Sequence, residues 1–140
     1  MNTDGTRIPE LEARTPHPDK LLHRDITEAI IGAAFAVHRE LGYGFLEKVY
    51  QRSLQVELVK SGKRAELEIP IPVKYRGVIV GEFFADLLVD EKVIVEIKVA
   101  PDYNPLDEAQ LLNELKATGL RVGLLLNFGR RDVQFRRFVF

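Results

Sequence analysis

The chain has 140 residues, 20 Lys and Arg against 21 Asp and Glu, three His and no Cys. Its 46% hydrophobic and 29% charged residues exclude a disordered polymer, and its length is that of one domain. Without Cys there is no disulfide scaffold, thiolate zinc site or cysteine nucleophile, and no run approaches the roughly 18 apolar residues of a membrane span. The first twenty residues carry no apolar run, so they are no secretory signal, and a cytoplasmic protein is expected. The net charge of −1 argues against a uniformly basic nucleic-acid binder.

Residues 1–22 carry Pro9, Pro16 and Pro18 with mixed charges and no periodicity. They are read as a flexible N-terminal tail in which Leu11, Leu21 and Leu22 are the candidates for docking, and residues 23–140 as a single domain. Asp25 and Glu28 have the spacing of a capping box. Ile26, Ile30, Ala33, Val37 and Leu41 follow at helical spacing, and Gly42 stops the helix. A second helix is expected from Phe45 to Ser61, with Leu46, Val49, Tyr50, Leu54 and Leu58 as its apolar positions.

The period then changes to two. Leu67, Ile69, Ile71, Val73 and Tyr75 alternate with polar residues and prolines. Pro70 and Pro72 confine that strand to an edge or a bulge, because proline donates nothing to a ladder. Arg76-Gly77 turns into a strand over 78–89, and Asp90-Glu91 turns into a third over 92–99. Asn104 caps a last helix that has Pro105 in its first turn and runs through Leu106, Ala109, Leu112 and Leu115 to Gly119. Residues 120–127 form a continuous apolar strand, and 133–140 a final one. The order is α-α-β-β-β-α-β-β, an α/β (α+β) mixed sheet flanked by helices. The crossover helix makes the third and fourth strands parallel in an otherwise antiparallel sheet.

Charged residues inside apolar strands carry the chemical information. Asp86 lies in FFADLLV, and Glu96 and Lys98 lie in VIVEIKV. Glu96 and Lys98 share a strand face, and the tight turn lets Asp86 lie beside Glu96. A hard divalent cation relieves the repulsion of two such carboxylates, and a neighbouring lysine can orient water and offset charge on phosphorus. The spacing D-x9-E-x-K therefore describes a phosphodiester-hydrolysis site. It equally describes an exposed face with a cross-strand ion pair. Glu47 sits in the first turn of the second helix, where the dipole favours a negative charge. Gln110 lies on the last helix and needs a polar partner. His17, His23 and His38 have no metal-ligand spacing, and no Gly-rich phosphate loop or serine elbow is present.

Taken in order, the GxxExxY run from Gly44 to Tyr50, Ala85-Asp86, Glu96-Ile97-Lys98, EAQLLN from Glu108 to Asn113, and the stretch from Leu115 to Gly129 resemble the GxxExxY protein family. That family is a branch of the PD-(D/E)XK nuclease superfamily. The resemblance spans about residues 24–140 and implies a restriction-endonuclease-like core. It implies Asp86 and Glu96 as metal-binding carboxylates with Glu47 completing the site. It also implies Lys98 as the catalytic lysine and Gln110 as the glutamine following the E-x-K strand. Tyr50 can brace Glu47 from one turn away. Ala85 replaces the proline of the superfamily motif. Glu114 replaces an aromatic residue, and either adds charge near the metal or points to solvent. Lys116 is a further supporting position.

The implied activity is a Mg²⁺- or Mn²⁺-dependent nuclease acting on nucleic acid, with DNA the expected substrate, and no membrane partner. Two other readings remain open at this point. One is a non-catalytic module binding nucleic acid or protein on the same fold; the other is a homodimer joined through the C-terminal strand VQFRRFVF. Residues 120–140 hold five Arg and one Asp. Arg121, Arg130, Arg131, Arg136 and Arg137 are thus candidate phosphate contacts, or the charges that protect an edge hairpin.

Overall fold

The computed structural model describes residues 18–140. A 3₁₀ turn (Pro18–Leu21) leads into α1 (Arg24–Leu41), α2 (Glu47–Lys60), β1 (Ala65–Tyr75), β2 (Val78–Val89), β3 (Val93–Lys98), α3 (Pro105–Thr118), β4 (Val122–Asn127) and β5 (Gln134–Val139). Leu22 packs against the core, Leu21 is exposed, and Leu11 lies outside the described residues.

The five strands lie in chain order, with β3 and β4 parallel and every other pair antiparallel, as the crossover helix requires. The two faces of β3 divide the core. Val93, Val95 and Ile97 pack with Ile30, Tyr50, Leu54 and Leu58 of α1 and α2. Ile94 packs on the opposite face with Leu111 and Leu115 of α3. Glu96 shares that second face by the period of two. Leu124 and Leu126 of β4 face the larger core and Leu125 the smaller, so the apolar run of β4 is covered on both sides.

Some helix details differ from the sequence expectation. Asp25 does not cap α1; His23 occupies that position in a left-handed conformation with no side-chain cap, and Glu28 pairs instead with Arg24 at 2.8 Å. In α2 the buried stripe is Tyr50, Gln51, Leu54 and Leu58, while Leu46 and Val49 are exposed. In α3 the buried positions are Leu111, Glu114 and Leu115, and Leu106 and Ala109 face outward. Each shift is a rotation of a helix about its axis, which sequence periodicity constrains loosely when a polar residue enters the buried stripe. Asn104 does cap α3, its Oδ1 accepting from Leu106 N at 3.0 Å, and Gly119 closes it at φ 78°.

Pro70 and Pro72 lie on β1, an edge strand. The β1–β2 hairpin changes face midway. Ala65 and Leu67 belong to the larger core, yet Ile69 and Ile71, at the same parity, belong to the smaller one. Leu87 and Val89 belong to the larger core, and Ala85 to the smaller. Between them Glu68 has φ 54°, a left-handed conformation that costs a non-glycine residue about 1–2 kcal/mol. The hairpin therefore turns at Glu68, beside Asp86.

Candidate active site

The turn of the hairpin sets Asp86 at the point where β2 leaves β3. Backbone pairing between the two strands spans Leu87–Val89 against Val93–Val95. Beyond it, Asp86 Oδ2 accepts from the backbone N–H of Ile97 at 2.7 Å. A side chain thus takes the place of the next ladder bond and is fixed against β3. Gln51 holds the other side of the turn: its Nε2 donates to the Asp86 backbone oxygen and to Glu68 Oε2, both at 2.9 Å. Lys48 Nζ joins Glu68 Oε2 at 3.1 Å. These contacts draw the Glu68 carboxyl below its ordinary pKa, the Gln51 hydrogen bond being the largest cause.

Glu96 is buried on the α3 side of β3, within hydrogen-bond reach of both Asp86 and Glu114. Glu114 is buried as well, at 1% exposure, and its Oε2 accepts from Gln110 Nε2 at 3.1 Å. Glu96 Oε2 and Glu114 Oε1 have no donor to satisfy them. Two bare carboxylate oxygens cannot satisfy one another, but a proton on Glu96 can. Burial first, then the hydrogen bond and charge of Glu114 and the charge of Asp86, push the Glu96 carboxyl far above the usual carboxylate range, against a smaller lowering by Lys98. Asp86 is also raised, mainly by burial and further by the charge of Glu47; the Ile97 N–H, Glu96 and Lys98 oppose the rise. Lys98 is partly exposed on the same strand, and its Nζ lies 3.6 Å from Asp107 Oδ1 on the first turn of α3.

The structure thus brings together Asp86, Glu96, Lys98, Gln110 and Glu114. Glu47 is exposed in the first turn of α2, where its charge is felt at Asp86. Glu114 faces the cluster rather than solvent. Tyr50 does not brace the Glu47 side chain. Its hydroxyl donates to the Gly42 oxygen at 2.6 Å and accepts from Phe45 N at 3.3 Å, and its ring stacks on Phe128 with centroids 4.7 Å apart. It fixes the loop that launches α2. Lys116 is exposed in the last turn of α3. His38 stacks on Phe128 and its Nε2 lies 2.8 Å from the Arg130 oxygen, so it is a packed core-edge histidine.

The arginines do not form one patch. Arg121 Nε donates to the Phe140 oxygen, Arg130 to the Pro101 oxygen, and Arg137 to Thr27 Oγ1 and the Leu22 oxygen. Arg136 lies 4.0 Å over the Tyr103 ring. On β5, Arg136 and Arg137 point to opposite faces because side chains alternate. Arg131 is exposed on the turn before β5.

Three contributing residues escaped the sequence reading. Gln51 interrupts the apolar stripe of α2, which is the signal of a buried polar side chain with a task. Asp107 faces Lys98 from another element, and no local pattern marks it. Asn127 clamps the chain just beyond Lys98: Oδ1 accepts from Ala100 N and Gly129 N, and Nδ2 donates to the Ala100 oxygen. Gly129 lies so close to that segment that a Cβ there would stand 2.4 Å from Ala100 N.

Among the described residues, no three His, Asp or Glu side chains form a ready-made cation cage. Mg²⁺ needs less, since it binds through one or two carboxylates and keeps several waters. Asp86 and Glu96, in reach of each other with one Glu96 oxygen lacking a donor, are a donor set of that kind.

The chain has relatives by sequence profile and by fold. The PD-(D/E)XK nuclease superfamily profile matches residues 24–138, and the chain belongs to that superfamily. The crystal structure of SSO0001 is similar at a TM-score of 0.50 and 16% identity, covering 86% of this chain and 60% of that one. The likeness is one of fold, and this chain spans 60% of the other's length. No curated protein matches the chain. No helix among the described residues is long and apolar enough to cross a membrane.

Proposed function

We propose that the protein is a Mg²⁺- or Mn²⁺-dependent phosphodiesterase of the GxxExxY branch, acting on DNA. The observation that carries this reading is the meeting of Asp86, Glu96 and Lys98 where the β1–β2 hairpin turns away from the sheet. Asp86 and Glu96 would hold the cation, and Glu47 would add negative charge from the start of α2. A divalent cation bound there supplies an activated water and neutralises charge on the phosphate.

The chain's own residues do the rest. The Ile97 N–H and Gln51 fix Asp86 from both sides, so its carboxylate needs no reorganisation to bind. Lys98 projects from the same face as Glu96 and can exchange its 3.6 Å contact with Asp107 for a scissile phosphate oxygen. There it orients water and offsets developing charge. Gln110 has a second amide hydrogen beyond the one given to Glu114 and can donate it to a phosphate. The Lys98–Asp107 pair keeps the lysine ordered at the mouth of the cluster.

Incubation with single-stranded, duplex and branched DNA, with Mg²⁺ or Mn²⁺ and with chelator, tests this reading. Cleavage that requires the cation and disappears in Lys98→Ala with unchanged circular dichroism supports it. Absence of cleavage on all three substrates with either metal overturns it.

A further inference from the structure

Glu114 is as deeply buried as the apolar core beside it, yet the cleavage proposed above gives it no task. It lies one turn beyond Gln110 on α3 and faces Glu96 across the α3 side of β3. Burying a carboxylate is costly unless a donor, a charged partner or a metal meets it. Gln110 Nε2 meets Glu114 Oε2 at 3.1 Å. Glu114 Oε1 and Glu96 Oε2 have no hydrogen-bond partner, and the two residues are 1% and 3% exposed. Lys98 Nζ is engaged elsewhere, with Asp107 Oδ1. One proton between the two open oxygens joins them but leaves a negative charge on the pair. A neutral amide at Glu114 Oε2 does not remove that charge, and Asp86 lies within reach on the far side of Glu96.

We propose that Glu114 is a cation ligand, and that Glu96 Oε2 and Glu114 Oε1 hold a second divalent cation beside the one between Asp86 and Glu96. The inference rests on the reading of Asp86 and Glu96 as a cation site. Glu96 stands in the middle of the row, within hydrogen-bond reach of Asp86 and of Glu114, so each of its two oxygens can serve one ion. The separation suits Mg²⁺ or Mn²⁺. Neighbouring ligands of an octahedral ion at about 2.1 Å lie about 3 Å apart, which is also a hydrogen-bond distance. Gln110 occupies Glu114 Oε2, which leaves Oε1 for the ion. Two carboxylates balance the charge of one divalent cation. Among the described residues no third His, Asp or Glu closes a cage. The ion therefore takes its other ligands from water or a phosphate oxygen. Gln110 and Lys98 are only partly buried, so the pair lies one side chain from solvent.

The test needs no substrate. The full chain, freed of metal with chelator, is titrated with Mn²⁺ to millimolar concentration, followed by calorimetry and electron paramagnetic resonance. Wild type should bind two ions per chain. Because they share the Glu96 carboxylate, they sit about 3.5–4 Å apart and should give a spin-coupled spectrum. Glu114→Gln keeps the size of the side chain and an acceptor for Gln110, and circular dichroism confirms that it folds. It should bind one ion, with an uncoupled spectrum. A wild type that binds a single ion, lost in Asp86→Asn and kept in Glu114→Gln, overturns the inference and leaves the Asp86–Glu96 site standing. Two ions without spin coupling, or two ions retained in Glu114→Gln, also overturn it. Binding of no ion overturns both readings. Two coupled ions in a chain that cleaves no DNA would sink the nuclease reading and leave the cation pair in place.

Discussion

Replacing Glu96 with glutamine should make the metal-free protein more stable at neutral pH, and the gain should grow with pH. The folded chain holds a proton on Glu96 because the carboxyl is buried against Glu114 and Asp86. The unfolded chain releases that proton near the ordinary value of 4.5. A pKa raised on folding gives stability that is fully present below the unfolded value and is lost as pH rises toward the folded one. The slope is about 1.4 kcal/mol per pH unit. Between pH 5 and 7.5 the wild type should therefore lose up to about 3 kcal/mol through the proton shared by the Glu96–Glu114 pair. Glutamine cannot titrate, and its amide can donate to the Glu114 carboxyl much as the Glu96 hydroxyl does. The rise at Asp86, caused mainly by burial, acts with the same sign in both proteins. Urea unfolding followed by circular dichroism in chelator, for both proteins at the two pH values, measures the effect. If the two stabilities run parallel across this range, Glu96 is not held neutral in the fold and the reasoning fails.

The remaining predictions concern the supports of the cluster. Asp86→Ala should abolish cleavage and cost about 1–3 kcal/mol, because the Ile97 N–H loses its acceptor; activity and urea midpoints report both effects. Gln51→Ala should cost a similar amount and lower cleavage without abolishing it, since the left-handed Glu68 and the Asp86 backbone lose their tie. A variant with wild-type activity would show that the hairpin turn needs no such support. Gly129→Ala should lower the melting temperature, by about 1–3 kcal/mol of overpacking against the Ala100 backbone, measured by calorimetry. An unchanged melting temperature would mean that the segment after Lys98 moves aside freely.

Much of this protein was legible in its residue pattern. Asn104 with Pro105, Gly119, the Arg76-Gly77 turn and the period-two run before it each act locally, so they mark their elements wherever the chain folds. The crossover helix forced β3 and β4 to be parallel, and the E-x-K spacing put Glu96 and Lys98 on one strand face. Asp86 beside Glu96 followed from the short turn at Asp90-Glu91. What local pattern could not supply is whatever depends on how an element is rotated or where two distant ones meet. The rotation of α3 turned Glu114 inward onto Glu96, and the rotation of α2 brought Gln51 under the hairpin. Asp107 meets Lys98, and Asn127 ties down Ala100, only because β3, α3 and β4 are packed together. The arginines near the C-terminus looked like one patch by composition, but strand alternation and partners from α1 and the loops dispersed them. The hairpin that changes face at Glu68 has an unbroken alternation in sequence. One left-handed residue, held by Gln51 and Lys48, decides that its first half faces one core, its second half the other, and its tip open solvent.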